Sequence, residues 1–174
     1  MIEVRAMELG DIGAVSAVRV SGWRAAYAGI VPQSYLDAMS VKEDAAQRRE
    51  WFKAAGNQVE NLVATDVGTV TGWAAMGPRA GDPDGGATGE LYALYVRPDR
   101  IGTGVGRRLL EAVRSRAAER GFQRLELWVL EDNVRALRFY GRARFSPDGA
   151  ERVEEYDGVL LRDVRYVGDV HVSA

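Results

Sequence analysis

Residues 90–121 read ELYALYVRPDRIGTGVGRRLLEAVRSRAAERG, and the order strand, glycine turn, helix in this stretch decides the fold. Glu90 to Val96 is rich in Leu, Tyr and Val, residue types that fit a pleated, half-buried strand. Pro98 ends that strand, because proline has no N–H to give to a ladder. The chain then turns through Ile101, Gly102, Thr103, Gly104, Val105 and Gly106, where glycines at alternate positions leave backbone N–H groups uncovered. Val105, Leu109, Ala112, Val113 and Ala117 follow near the 3.6 period and predict a helix, which Gly121 stops. Bare amides at the positive end of a helix suit an anion, and the natural anion is a phosphate or pyrophosphate. Glycine turns also serve purely structural ends, so the loop by itself leaves both readings open. Two other phosphate loops do not fit. A Walker loop needs Lys-Ser or Lys-Thr where Arg107 and Arg108 stand, and the dinucleotide fingerprint needs a spacing that Gly102, Gly104 and Gly106 lack.

Downstream, Leu125, Leu127 and Val129 alternate with Glu126 and Trp128, which predicts a strand over Arg124 to Leu130. Asp132 or Asn133 caps a helix running through Tyr140. Arg152 to Tyr156 and Val159 to Val167 flank Asp157-Gly158 as a hairpin, and a frayed tail is expected from Gly168. Upstream, Leu62 to Thr65 and Thr69 to Met76 form a second hairpin around Asp66-Val67-Gly68. Gly77 to Gly89 is loop, rich in Gly, Asp and Pro; it reads as a surface excursion or as a border of the binding-site entrance. At the start, Ile2 to Arg5 is a short strand, Asp11 fits an N-cap, and Ile12, Val15, Val18 and Ala25 mark one helical face. Pro32 opens a second helix, and Ser40 with Glu43 is a capping box for a third that ends near Ala55. Trp23 and Tyr27, four apart, face one side of the first helix as core anchors, as pocket lining, or as both.

With 174 residues, 47% of them hydrophobic, the chain is sized for one domain, placed at residues 1–167 with a tail over 168–174. A net charge of −2 gives no basic field for nucleic acid. The absence of cysteine excludes disulfides, thiol nucleophiles and cysteine zinc sites, and fits a cytoplasmic location. His171 is the only histidine and lies near the C-terminus, so acids and bases must come from Glu, Asp, Tyr or Lys. No apolar run approaches the roughly 20 residues of a membrane span, and no signal peptide opens the chain.

Two segments carry a specific resemblance. VRPDRIGTGVGRRLL, residues 96–110, resembles the acetyl-CoA loop of the GCN5-related N-acetyltransferase (GNAT) superfamily, with Gly104 and Gly106 at its last fixed positions. Ile101 stands where that family usually has Arg or Gln, and Arg100 sits one residue early. VLEDNVRALRFYGRARF, residues 129–145, resembles the second signature through Asn133, Ala136, Phe139, Tyr140 and Phe145, with Arg144 in place of the usual glycine. WRAAYAGIVP, residues 23–32, is similar to a large bacterial branch of the superfamily.

The resemblance implies an α/β GNAT fold: a mixed, mostly antiparallel sheet flanked by helices and splayed between its two central strands. It implies transfer of an acetyl group from acetyl-CoA to a primary amine by direct attack, with acetyl-CoA as co-substrate and no metal. The acceptor is a small-molecule or peptide amine, and a homodimer is compatible with this reading. The loop from Ile101 through Gly102, Thr103, Gly104, Val105 and Gly106 then holds the pyrophosphate, with Arg107 or Arg100 neutralising it. Leu94, Tyr95 and Val96 pair with the pantetheine arm, and Asn133 contacts that arm or simply caps its helix. Tyr140 donates a proton to the departing sulfur, or else is a core tyrosine under Phe145. Glu90 is a base acting through water, a binder of the substrate ammonium, or a surface carboxylate at the strand end. Trp23, Tyr27, Glu90 and Tyr92 line the acceptor site. An alkyl amine has a pKa of about 10.4, so freeing its lone pair near pH 7 costs about 4.6 kcal/mol. Two competing readings are a non-catalytic acyl-CoA-binding module that senses the cofactor, and a nucleotide-binding protein.

Overall fold

The computed structural model describes residues 1–56, 58–81 and 86–171. Its strands are β1 (Ile2–Ala6), β2 (Glu60–Asp66), β3 (Thr69–Pro78), β4 (Thr88–Val96), β5 (Arg124–Leu130), β6 (Ser146–Tyr156) and β7 (Val159–Asp169). Helices α1 (Ile12–Ala26), α2 (Gln33–Ala38) and α3 (Val41–Ala54) lie between β1 and β2, α4 (Val105–Glu119) links β4 to β5, and α5 (Val134–Arg142) precedes β6. The strands form one sheet in the order β1-β2-β3-β4-β5-β7-β6. Every neighbouring pair is antiparallel except β4 and β5.

Local chemistry explains these elements. The two hairpin turns, Val67-Gly68 and Asp157-Gly158, both take positive φ at both positions (50° and 77°, 45° and 82°), the backbone that matches strand twist. Ser40 caps α3 by accepting from the Glu43 N–H at 3.3 Å, and Asn133 caps α5 by accepting from the Ala136 N–H at 3.2 Å. Asp11 occupies the N-cap position of α1 without a capping bond of its side chain. Its carboxylate instead accepts from the Glu8 N–H and from Arg5, which hold it below the usual carboxylate range.

The sheet separates two apolar layers. On one face α4 buries Val105, Leu109, Leu110, Val113 and Ala117 against Leu62, Met76, Leu91, Leu125 and Leu127. Each fully buried Leu or Val there contributes roughly 1.5–3 kcal/mol. Ala112, expected on the buried face, is only partly covered, and Leu110 takes that place. On the other face Ile12, Val15 and Val18 of α1 pack with Val63, Trp73 and Ala75.

The structure corrects two sequence expectations. The loop is shorter than Gly77 to Gly89, because β3 continues to Pro78 and β4 starts at Thr88; residues 82–85 lie outside the described residues. Gly168 does not begin a frayed tail. Gly168 and Asp169 belong to β7, and the Val170 N–H donates to the Gln123 carbonyl at 2.9 Å while its side chain is buried. Residues 172–174 lie outside the described residues.

The feature that positions the site is the β4–β5 pair. It is paired over Thr88–Arg124, Gly89–Leu125 and Glu90–Glu126, and beyond that rung the strands diverge. On its other edge β4 carries an irregularity: Ala93 faces Ala75 but Leu91 faces Met76, so Tyr92 is an extra residue. A bulge bends its strand and increases its twist, which turns β4 away from β5 where the split begins.

Candidate active site

The split opens onto two cavities. One, of about 350 Å³, lies beside the glycine turn and is lined by Leu94 to Val96, Ile101, Gly102, Gly104, Gly106, Asn133 and Tyr140, among others. The other, of about 470 Å³, lies beside α1 and α3. Tyr27, Tyr92, Ala93, Tyr95 and Trp128 border both, so the cavities meet at the split.

In the first cavity, Gly102 and Gly104 adopt φ of 81° and 94°, a region that side-chain-bearing residues seldom enter. Gly104 is the N-cap of α4, and the first helical bond runs from the Arg108 N–H to the Gly104 carbonyl. The N–H groups of Val105, Gly106 and Arg107 therefore have no acceptor within the helix. Those amides at the positive helix end make the cradle that an oxyanion fits. A Cβ on Gly106 would stand 3.4 Å from the Phe139 ring, an ordinary contact, so α5 packs close to this turn of α4. The two arginines differ. Arg100 is ion-paired with Asp66, which the N-terminal ammonium also holds, whereas the Arg107 side chain is 77% exposed and only loosely paired with Glu111 at 3.8 Å. Of these two, Arg107 is the less committed cation at the mouth. Arg135 also lines this cavity and was not singled out from sequence.

Tyr140 reaches the same cavity from α5, and it is the more buried of the Phe139–Tyr140 pair. Its ring meets Phe139 at 5.1 Å and Phe145 at 5.8 Å, both edge-on. Tyr140 thus packs in the core and also lines the cleft. Burial pushes the phenol pKa well above its ordinary value, so Tyr140 keeps its proton across the physiological range. Asn133 likewise both caps α5 and lines the cleft.

In the second cavity Trp23 and Tyr27 line one wall and meet edge-to-face at 4.7 Å. The Trp23 indole N–H donates to the Tyr95 hydroxyl at 2.8 Å. The Tyr27 and Tyr95 hydroxyls neighbour each other, and burial raises both phenols. Burial also pushes Tyr156, on the same wall, up to about 12. Tyr92 lines the cavity too, its hydroxyl donating to the Pro78 carbonyl.

Glu90 corrects one expectation. It is neither at the strand end nor on the surface: it is 7% exposed, on the last paired rung, opposite the equally buried Glu126. Burial raises its pKa, partly offset by a bond from the Ala80 backbone and by the field of Arg152. Glu126 is held by Arg79 at 3.2 Å and Arg165 at 3.7 Å. Glu90 lies at the apex of the split but outside the lining of both cavities. Sequence reasoning also passed over Arg19, Arg48, Arg152 and Asp163 in the second cavity. They come from four elements, and no local spacing joins them.

Comparison with known proteins bears on this arrangement. The profile of the "Acetyltransferase (GNAT) family" matches residues 23–145. The "Uncharacterized N-acetyltransferase YuaI" of Bacillus subtilis is 33% identical over 165 residues, covering 94% of this chain and 91% of its own length. A mycothiol acetyltransferase of Propionibacterium freudenreichii is 41% identical over 107 residues, 60% of this chain but only 32% of that protein. Among solved structures, that of yncA, a putative acetyltransferase from Salmonella typhimurium with its cofactor acetyl-CoA, superposes with a TM-score of 0.76 at 22% identity. It covers all of this chain and 96% of the other, a likeness of fold.

Proposed function

The chain belongs to the acetyltransferase (GNAT) family, and from that premise we propose that it is an acetyl-CoA-dependent N-acetyltransferase whose primary-amine acceptor attacks directly in a ternary complex. One observation carries this reading: the glycine-loop cleft and the aromatic cavity meet at the split in the sheet, so two substrates can touch there. Acetyl-CoA, when bound, supplies the acyl group as an activated thioester.

The chain's own residues divide the work. The loop from Ile101 to Gly106, with Thr103 at its tip, and the first-turn amides of α4 hold the phosphates, aided by Arg107. The β4 edge at Leu94, Tyr95 and Val96 pairs with the pantetheine arm, because past Glu90 it has no β5 partner. A backbone N–H near Leu94 polarises the thioester carbonyl. Tyr140 donates a hydrogen bond to the departing sulfur. A free phenol near pKa 10 facing a thiol near 8.5 gives up its proton uphill by about 2 kcal/mol, and burial of Tyr140 adds to that. Hydrogen bonding, rather than complete transfer, is therefore its role. Glu90 takes up the amine proton through water, and its raised pKa strengthens it as an acceptor. Trp23, Tyr27 and Tyr92 exclude water around the amine.

Thiol release from acetyl-CoA across a panel of primary amines, with product masses, tests the reading. The chain has no cysteine, so the thiol assay carries no protein background. Release no faster than spontaneous hydrolysis for every amine, from protein that binds acetyl-CoA, would favour the sensing module instead.

A further inference from the structure

We propose that the aromatic cavity selects an acceptor whose amine is accompanied by an anionic group, a carboxylate or equivalent oxyanion, seated on Arg48 and Arg19 with an apolar body against the tryptophan walls. This rests on the acetyltransferase reading above for the fate of the amine, while the anion subsite is argued from charge and burial.

Arg48 is 7% exposed although it is an arginine in the middle of an amphipathic helix. Its guanidinium carbon sits 4.3 Å above the Trp73 ring and 5.9 Å from that of Trp51. Its Nε and Nη2 meet Asp44 at 3.3 and 3.4 Å. Asp44 also accepts from Arg19 Nη1 at 2.7 Å, and the Arg19 guanidinium covers Trp23 at 5.2 Å. Among the described residues one carboxylate therefore serves two guanidinium groups, and one positive charge is left over. Both arginines line the cavity, whereas Asp44 does not. The shared counter-ion lies behind the cations, and the surplus charge faces the space where an acceptor would lie.

A buried cation without full compensation is costly, and an arginine fork is suited to a bidentate oxyanion. The opposite end of the cavity offers no such surplus. Arg152 there is paired with Asp163 at 2.9 Å and covers Trp128 at 4.6 Å. An entering anion is thus drawn to the α1–α3 end, which leaves the amine to point towards the split, where Tyr27, Tyr95 and Trp128 border both cavities. A polyamine would instead bring further cations against Arg48.

All four tryptophans of the chain, Trp23, Trp51, Trp73 and Trp128, line this cavity, so their fluorescence reports its occupancy independently of catalysis. The probes are two matched pairs: L-phenylalanine with L-phenylalaninamide, and 5-aminopentanoate with 5-aminopentanamide. Thiol release and tryptophan fluorescence are measured for each. The expected result is that the acid of at least one pair outperforms its amide by about 10- to 150-fold in kcat/KM, the worth of one hydrogen bond to a charged group. The same acid should saturate a fluorescence change. Arg48→Gln should bring the acid-to-amide ratio towards one. Arg19→Gln, at a more exposed site, should lower the same ratio should the first variant fail to fold. Turnover of the amides with no acid preference overturns the anion subsite and leaves acetyl transfer standing. Saturable acid binding without turnover leaves the subsite standing and overturns acetyl transfer. Neither turnover nor binding overturns both.

Discussion

Replacing Tyr140 with phenylalanine separates the proposed chemistry from architecture, because the two halves of this side chain have different surroundings. The ring is packed edge-on between Phe139 and Phe145. The hydroxyl has no hydrogen-bond partner among the described residues, and Tyr140 lines the glycine-loop cleft. Tyr140→Phe keeps the ring contacts and removes only the donor. Folding stability should hold, since no protein hydrogen bond is lost. If the hydroxyl meets a developing thiolate, the loss is one hydrogen bond to a charged group, roughly 1.5–3 kcal/mol. At ~1.36 kcal/mol per tenfold, kcat should fall roughly 10- to 150-fold while acetyl-CoA affinity stays level. Steady-state thiol release gives kcat, calorimetry gives affinity, and thermal melting gives stability. Full activity in the phenylalanine variant would refute the donor role. A large loss of stability with unchanged turnover per folded molecule would mean that the hydroxyl serves the core.

Other outcomes follow from the same geometry. Gly104→Val should remain folded, as nothing lies within 4 Å of an added Cβ. Its left-handed φ should cost about 1–2 kcal/mol of stability, and loss of one amide–phosphate bond should weaken acetyl-CoA binding about tenfold or more by calorimetry; unchanged affinity would make the loop purely structural. Gly72→Ala places a Cβ 2.8 Å from Leu109 and Val105, and overpacking of this kind costs about 1–3 kcal/mol, read as a lower urea midpoint. Glu90 has a folded pKa raised above its ordinary 4.5, so its favourable contribution is full below that pH and is lost as pH rises through the folded value. Glu90→Gln should therefore melt higher than the parent at pH 7, with the gap narrowing below pH 4.5. A gap that stays constant with pH would show that the carboxyl does not titrate anomalously.

Much of this was legible in the sequence because it is local. The hairpin turns declare themselves as Val67-Gly68 and Asp157-Gly158, the Asn133 cap precedes its helix, and the glycine turn precedes α4. What escaped depends on distant partners. Glu90 reads as the first residue of a strand; only its rung with Glu126, which arginines from β7 and the loop after β3 hold, places it as a buried carboxylate. Arg48 reads as one more charge on the solvated face of α3 until Trp73 covers it. The Tyr92 bulge leaves no trace in the alternation of β4, because a bulge shifts register against a neighbour and is not a property of one strand. Val170 reads as tail until the Gln123 carbonyl receives its N–H.

The three-rung junction between β4 and β5 has a consequence for how the protein moves. Backbone bonds are directional and fix a register, but among the described residues the ladder that joins the block β1–β4 to the block β5–β7 has only three rungs, extended by the Ala87 carbonyl, which accepts from the Gln123 and Arg124 N–H groups. Elsewhere the blocks meet through side chains: the apolar cluster under α4, where Leu109 and Val113 share a core with Leu125, Leu127 and Phe145, a smaller one around Leu36 and Leu130, and the Arg79–Glu126 and Ser34–Asp157 contacts. Apolar contact is not directional, so the blocks can shear by small amounts and change the width of the split without breaking a ladder. Amide exchange should reveal this as two cooperative units with a soft seam. A molecule lying along the free edge of β4 from Leu91 to Val96 would act as a missing strand, and would slow exchange on both sides of the seam at once.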